Sequence, residues 1–413
     1  MTAEYWSLTS GQGSNDMQET RNGGGRGILF YVSLIGFFGI FTTTISKNPV
    51  LPYLVKSLGA GDQVLGLISA VSPFAGIVFS FPVGVLADRI GKKTMLIISA
   101  FVFLLAPLMY LLVTNAWYLI PVRFFHGMAT AILGPIAATI IAGAYDKNKG
   151  EKLGVYSSAT LVGRTIAPLA GGALIAFFAS QGELFSYRSV YVAAFVLAIP
   201  VVIGAFLVKT GEAPVKRGIT LGQFIGSLKY IVFNKAILAT ALVDLATYFA
   251  FGIFETFAPV YLKDIGFRPQ TVGLLFSLQI LSIALTKPLF GKLADTIDKR
   301  IQIACGLFVL GIAVGLLPFM NTFVPILGVS LLFGLAMSFS TVASSAYVAD
   351  VASKDQLGAS MGALSSIMDV GHSTGPLIAG TMVAMFSMTA GFMTGLLLAV
   401  GVTLLFLIVA YRK

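Results

Sequence analysis

Nine ionisable side chains stand inside stretches of this chain that are otherwise almost wholly apolar: Lys47, Arg123, His126, Arg164, Asp244, Glu255, Lys287, Asp369 and His372. Charged groups are costly in hydrocarbon and by default mark a pathway or a bound partner. Their spacing makes small constellations. Arg123 and His126 are three apart, as are Asp369 and His372, which puts each pair on one helix face. Asp244 and Glu255 are eleven apart, within about 20° of one helical face, with Tyr248 and Phe251 on the same stripe. Carboxylates beside imidazoles are proton-site chemistry. Four cations against three acids suit a substrate carrying a carboxylate or phosphate. Each single residue has two readings. Lys47 either faces a cavity or snorkels to the interface. His126 either titrates or is a hydrogen-bonded polar residue. Glu255 either walls a cavity or sits solvated at the outer end.

Only membrane helices hold such groups at these depths. Apolar residues make up 57% of the 413 and charged residues 11%, against about 25% charged in soluble domains. The surplus apolar surface needs lipid. Runs of roughly 20 apolar residues span a bilayer, and twelve occur between residues 28 and 411. The expected fold class is all-α: a polytopic membrane protein with 12 transmembrane helices in two pseudo-symmetric six-helix bundles. Residues 1–27 read as a disordered tail and 28–208 as an N-terminal bundle. A linker follows over 209–235, with a short amphipathic helix from Thr220 to Tyr230, and 236–413 form a C-terminal bundle. Thr42 to Pro49 puts hydroxyls, a lysine and an amide in the outer half of the first span, with Pro49 and Pro52 bending its exit.

The net charge of +10 does not point to nucleic acid, because it is segregated. Arg89, Lys92, Lys93, Lys147, Lys149, Lys152, Lys209, Lys216, Arg217, Lys292, Lys299 and Arg300 fill alternate loops, whereas the intervening loops hold few. That asymmetry places both termini and the basic loops in the cytoplasm. Cys305 is the only cysteine, so no intrachain disulfide or thiol metal cluster is expected. No phosphate-binding loop or zinc-hydrolase motif occurs, so no metal and no cofactor is expected. Gly358-Ala359-Ser360-Met361-Gly362, followed by Asp369 and His372, matches a hydrolase nucleophile pattern but lacks its strand–helix context. Small residues packing a helix explain it better.

Two motifs repeat at half the chain length. Gly84-Val85-Leu86-Ala87-Asp88-Arg89-Ile90-Gly91-Lys92-Lys93 returns 207 residues later as Gly291 to Arg300, with Asp295 at the position of Asp88. Gly163-Arg164-Thr165-Ile166-Ala167-Pro168 through Gly172 returns 208 later as Gly371-His372-Ser373-Thr374-Gly375-Pro376 through Gly380. The first resembles the G-x-x-x-D-R-x-G-R/K-K/R loop of the major facilitator superfamily. Gly163 to Gly172 resembles its fifth-helix G-x-x-x-G-P-x-x-G-G, and Arg123 to Ala131 its fourth-helix R-x-x-Q-G-x-G-A-A, with His126 in place of Gln. The chain most resembles the twelve-helix prokaryotic drug and metabolite exporters of that superfamily.

The resemblance implies bundles that rock about a central site to give alternating access, driven by an ion gradient, usually protons. The expectation is a monomeric, proton-coupled exporter of a small organic molecule in the plasma membrane, with lipid, substrate and proton as its partners and no enzymatic activity. A uniporter, exchanger or importer of an organic anion is the alternative, and an intramembrane hydrolase a remote one. Arg123, His126, Arg164, Asp244, Tyr248, Glu255, Lys287, Asp369 and His372 are the expected substrate and ion pathway, with Asp244, Asp369 and His372 leading for protons. Gly84, Asp88, Arg89, Gly91, Lys92 and Asp295 are the expected cytoplasmic gate, unless they form a merely solvated loop. Gly163, Pro168, Gly172, Gly375, Pro376 and Gly380 are the expected helix-packing residues. The first span lacks the acidic residue common in exporters of cationic drugs.

Overall fold

The computed structural model describes residues 27–145, 147–209, 221–352 and 357–411. Among them the regular structure is helical, with no strand. In chain order the helices are α1 (27–45), α2 (Val50–Ser57), α3 (Asp62–Ile90), α4 (Lys92–Leu111), α5 (Leu119–Ala144), α6 (Lys149–Phe177), α7 (Glu183–Leu207), α8 (Leu221–Phe233), α9 (Lys235–Asp264), α10 (Pro269–Ala294), α11 (Lys299–Leu316), α12 (Phe323–Val351), α13 (Leu357–Met385) and α14 (Met388–Tyr411). Eleven stretches among the described residues are long and apolar enough to cross a membrane, the first being α1 and α2 together (Gly27–Ser57). α13 has the same reach, 29 residues, but carries Asp369, His372 and several hydroxyls. Large apolar side chains such as Phe206, Leu285, Leu397 and Leu404 project outward, as lipid contact requires. The expected tail over 1–27 lies almost wholly outside the described residues.

Helices run alternately between two faces. One, the terminal face, carries the start of α1 and the end of α14; the other is the distal face. Turn chemistry fixes several ends. Gly91 takes φ +90° between α3 and α4, a conformation open to glycine at little cost. The Asn234 side chain accepts from the amides of Ala236 and Ile237 to start α9, and Asp298 accepts from Arg300 N to start α11. At the terminal face Lys93 Nζ donates to Phe206 O at 3.1 Å, and Arg300 Nη1, 207 residues on, donates to Ala410 O at 2.9 Å. Each cation therefore meets the free carbonyls ending a half's last helix.

The sequence repeat reappears as a repeat of helix pairings. α3 packs on α5, and α4 on both α5 and α7; α10 packs on α12, and α11 on both α12 and α14. The two most extensive contacts across the seam between the halves, α3 with α13 and α6 with α10, are symmetry mates. Both depend on missing side chains. A Cβ at Gly66 would lie 2.2 Å from Pro376 O, and one at Gly273 2.2 Å from Pro168 O. One at Gly380 would lie 2.7 Å from Asp62 O, and one at Gly172 2.3 Å from Pro269 O. Backbone against backbone is how helices associate where lipid removes the hydrophobic drive. All four contacts lie in the distal halves of the helices, so the seam is shut on the distal side.

Candidate functional site

The first span breaks where its sequence turns polar. α1 stops at residue 45, and a turn over 46–49 precedes α2. Ser46 N still donates to Thr42 O, but Lys47 N and Asn48 N both converge on Thr44 O. This tightening aims Lys47 and Asn48 together at α9. Lys47 Nζ pairs with Glu255 Oε2, and Asn48 Nδ2 donates to Glu255 Oε1 at 2.7 Å. His372 on α13 places Nε2 2.9 Å from Glu255 Oε2 and 3.3 Å from Lys47 Nζ. Side-chain exposures of 15% for Lys47, 10% for Glu255 and 18% for His372 describe a nearly closed, charged joint. The rings of Tyr248 and Phe251 flank His372, with centroids 6.3 and 5.3 Å away.

One nitrogen of His372 thus faces a donor and an acceptor at once. With a lone pair it accepts from Lys47; with a proton it donates to Glu255. Glu255 and His372 belong to the C-terminal half and Lys47 and Asn48 to the N-terminal half. A proton on that nitrogen therefore draws Glu255 toward a partner in its own half.

A second polar cluster abuts the joint. Arg123 is 1% exposed and His126 1% exposed on α5. Tyr110 stacks on Tyr191 at 4.5 Å and meets the His126 ring edge-on at 5.8 Å. His126 Nε2 lies 3.3 Å from Thr43 Oγ1, and Tyr191 Oη donates to Ser46 O at 3.3 Å. Nε and Nη2 of Arg123 and Nδ1 of His126 are buried without a hydrogen-bond partner. The Thr43 and Ser46 contacts both fall on residues just before Lys47 in the chain, so the two clusters are neighbours.

Other expected residues fall elsewhere. Asp244 does not join Glu255: it is fully buried and accepts from Ser344 Oγ at 2.7 Å, facing α12. A shared face was sound, but eleven residues also separate the two by about 16 Å along the axis. Asp369 packs on α3, its Oδ2 2.9 Å from where a Gly76 Cβ would be. Arg164 and Lys287 are exposed although they lie well within α6 and α10. His372 bonds Glu255 rather than a serine nucleophile; the side chain of Ser360 lies outside the described residues. Of the packing residues, Gly163 abuts Phe37 O, and its repeat Gly371 abuts Leu245 O, at 2.5 and 2.1 Å from a notional Cβ. Gly375 meets Phe249 O in the same way, at 2.2 Å.

For the expected gate, Gly84 lies in the last two turns of α3, and the side chain of Asp88 lies outside the described residues. Arg89 is exposed, Lys92 half-buried, and Asp295 exposed at the end of α10. The ion pairs of the second loop use other residues: Lys299 with Asp350 at 2.9 Å and Arg300 with Asp298 at 2.8 Å. At the distal face Lys263 of α9 donates to Glu183 Oε1 at 2.9 Å and Tyr187 Oη at 3.0 Å on α7. It also lies over the Tyr53 and Tyr187 rings at 5.4 and 5.7 Å, clasping the two halves where they close.

Lys47 and Asn48 are functional candidates that the sequence expectation left unpartnered. The signal was available: Lys47 and Glu255 are 208 residues apart, the offset that relates Pro168 to Pro376. They are opposite charges at equivalent positions, meeting on the pseudo-twofold axis.

Comparison with known proteins places this arrangement. An uncharacterized MFS-type transporter of Methanocaldococcus jannaschii is 25% identical over 345 residues, 82% of this chain and 88% of that one. Multidrug resistance protein MdtG of Citrobacter koseri is 26% identical over 378 residues, 87% of this chain and 89% of its own. The crystal structure of the nucleoside transporter NupG superposes with a TM-score of 0.77 at 14% identity, covering 94% of this chain and 100% of that one. A bacterial homolog of the lysosomal transporter Spinster, inward-facing and unoccupied, gives 0.74 at 17% identity, covering 94% and 95%. The sequence model of the Major Facilitator Superfamily matches residues 32–268 and again 240–413, which together cover most of the chain. With twelve long helices in two like halves and a charged joint on their axis, this chain belongs to the major facilitator superfamily of membrane transporters.

Proposed function

We propose that this transporter is a proton-coupled exporter of a small organic molecule, and that Lys47, Glu255 and His372 form its coupling joint. The observation that carries the reading is the joint itself. A buried carboxylate is held across the seam by Lys47 and Asn48 and within its own half by His372. Proton occupancy and seam opening are then one equilibrium, because a proton at His372 Nε2 releases Lys47 from sharing that nitrogen. Buried charge pairs are retained where they act as switches more than where they stabilise. The multidrug relatives support export.

In this reading the chain divides into an N-terminal half over 28–208 and a C-terminal half over 236–413, joined by a linker that contains α8. The terminal face is cytoplasmic. It gathers Arg89, Lys92, Lys93, Lys147, Lys149, Lys152, Lys299 and Arg300, while Lys56, Arg188, Lys263 and Arg268 lie at the distal face, in keeping with the positive-inside rule. The distal seam is closed by glycine contacts and the Lys263 clasp. Exposed Arg164 and Lys287 line the way in from the cytoplasm, and Asp369 lies at the α3–α13 seam one turn from His372.

The test uses protein in liposomes with an internal pH dye, challenged with a mixed panel of lipophilic cations and organic anions. Substrate-dependent proton movement is expected. In Glu255→Gln it should disappear while counterflow of labelled substrate persists. Undiminished proton movement in that variant refutes the coupling assignment, and counterflow without proton movement in the unmodified protein makes it an exchanger.

A further inference from the structure

We infer that the substrate carries a carboxylate or phosphate, and that Arg123 is its terminal docking group, reached along Lys287 and Arg164. The inference rests on the transporter reading and adds the substrate class to it. It starts from an imbalance. The cations within the spans are Lys287 on α10, Arg164 on α6, Lys47 in the α1–α2 turn and Arg123 on α5. Glu255 answers only Lys47. Among the described residues Arg123, Arg164 and Lys287 form no ion pair with a carboxylate; Asp244 is taken by Ser344, and with the half-buried Asp369, packed on Gly76, counted beside Glu255, the cations still exceed the acids by four to two.

The four form a connected series rather than scattered charges. Arg164 and Lys287 stand on α6 and α10, which pack together across the seam, and Arg123 shares a helix face with His126, whose Nε2 lies 3.3 Å from Thr43 Oγ1, one turn before Lys47. Arg164 and Lys287 are exposed although lipid would exclude them, which fits a wet cleft; Arg123 is buried. An anion entering from the terminal face therefore meets two solvated cations before a desolvated one. At the end of the series the chemistry is unsatisfied. Arg123 is 1% exposed, and its Nε and Nη2 find no acceptor. Beside it His126 Nδ1 is likewise unpartnered. An unpaired buried donor forfeits about 1–3 kcal/mol, more when charged, so this cluster is built to receive an acceptor. A guanidinium edge matches a carboxylate or phosphate bidentately. The stacked Tyr110–Tyr191 pair offers an aromatic wall for the remainder of such a molecule.

The test compares size-matched labelled probes in proteoliposomes: phenylacetate, phenyl phosphate, phenethylamine and 2-phenylethanol. Counterflow of phenylacetate or phenyl phosphate, at least tenfold above the amine and the alcohol, is expected. Arg164→Gln and Lys287→Gln, at exposed positions that folding tolerates, should raise KM for the anion about tenfold each with kcat little changed, the loss of one charge-assisted contact. Arg123→Gln should abolish anion counterflow and Arg123→Lys restore part of it. Counterflow of the amine or alcohol without the anions overturns the substrate class and leaves the transporter reading standing. Anion counterflow with KM unmoved in all three Gln variants overturns the docking assignment. Counterflow of none of the four overturns the substrate class, and proton movement in the pH-dye assay then shows whether transport survives.

Discussion

Removing Lys47 alone should unlatch the distal seam, and removing its partner as well should largely restore it. Lys47→Met leaves Glu255 buried with Asn48 and His372 but no cation. Breaking a buried pair by deleting one partner costs about 3–5 kcal/mol, whereas replacing both ions by apolar or neutral groups is often close to neutral. The 15% and 10% side-chain exposures argue for the lower end, about 3 kcal/mol, or roughly a hundredfold in the ratio of closed to open seam. That cost falls on the closed state, because only there do the α1–α2 turn and α9 share the charge. Spin labels at Ala60, beside α3, and Ser387, beyond α13, in a Cys305→Ser background read the seam directly. The single variants Lys47→Met and Glu255→Gln should each populate a longer inter-label distance. The double variant should return toward the short distance, with a coupling of about 2 kcal/mol or more in the cycle. Single variants as closed as the parent, or additive effects with coupling below about 0.5 kcal/mol, would refute the joint.

Three further outcomes follow from the same contacts. Gly66→Val puts a side chain where only 2.2 Å separates a Cβ from Pro376 O; it should hold the same label pair apart and abolish transport, as should its symmetry mate Gly273→Val. Glu183→Ala should change opening by less than about fivefold, since Lys263 and Glu183 are 39% and 64% exposed and such pairs are worth about 0–1 kcal/mol. Lys263→Ala should do more, because it also loses Tyr187 and two aromatic faces, and 1 M salt should erase the first effect while sparing much of the second. At the start of α11, hydrogen bonds from Arg300 hold the Asp298 carboxyl down at about 2. A depressed carboxylate stabilises above its unfolded value near 4 and loses that contribution as pH falls through about 2. Asp298→Ala should therefore cost about 1 kcal/mol of thermal stability in micelles at neutral pH and almost nothing at pH 2.

Much of the architecture is legible in the residues because lipid imposes length, polarity and repeat on the chain. Runs of apolar residues must span, basic loops must alternate, and a duplicated half must repeat its tight glycine contacts, as Gly163 and Gly371 do. The partnerships inside the bundle were harder. Asp244 and Glu255 share a helical stripe, yet periodicity reports only direction around an axis. Which neighbour lies there, α12 for one and α1 with α13 for the other, depends on tertiary placement. Lys47 looked equally suited to snorkelling because its own helix carries no acid; its partner stands in the other half, and only the 208-residue offset connects them. Arg123 was legible as an inward-facing charge. That it lacks an acceptor was not, since sequence does not count hydrogen bonds.

The central claim is that a proton at the joint loosens the distal seam. The Ala60–Ser387 label distance should be followed from pH 8 to pH 5 in liposomes, in otherwise unmodified protein and in His372→Gln and Glu255→Gln. The account predicts that the long-distance population grows as pH falls, and that this response vanishes in both variants. A seam that ignores pH, or one that responds equally with Glu255 neutralised, would contradict it.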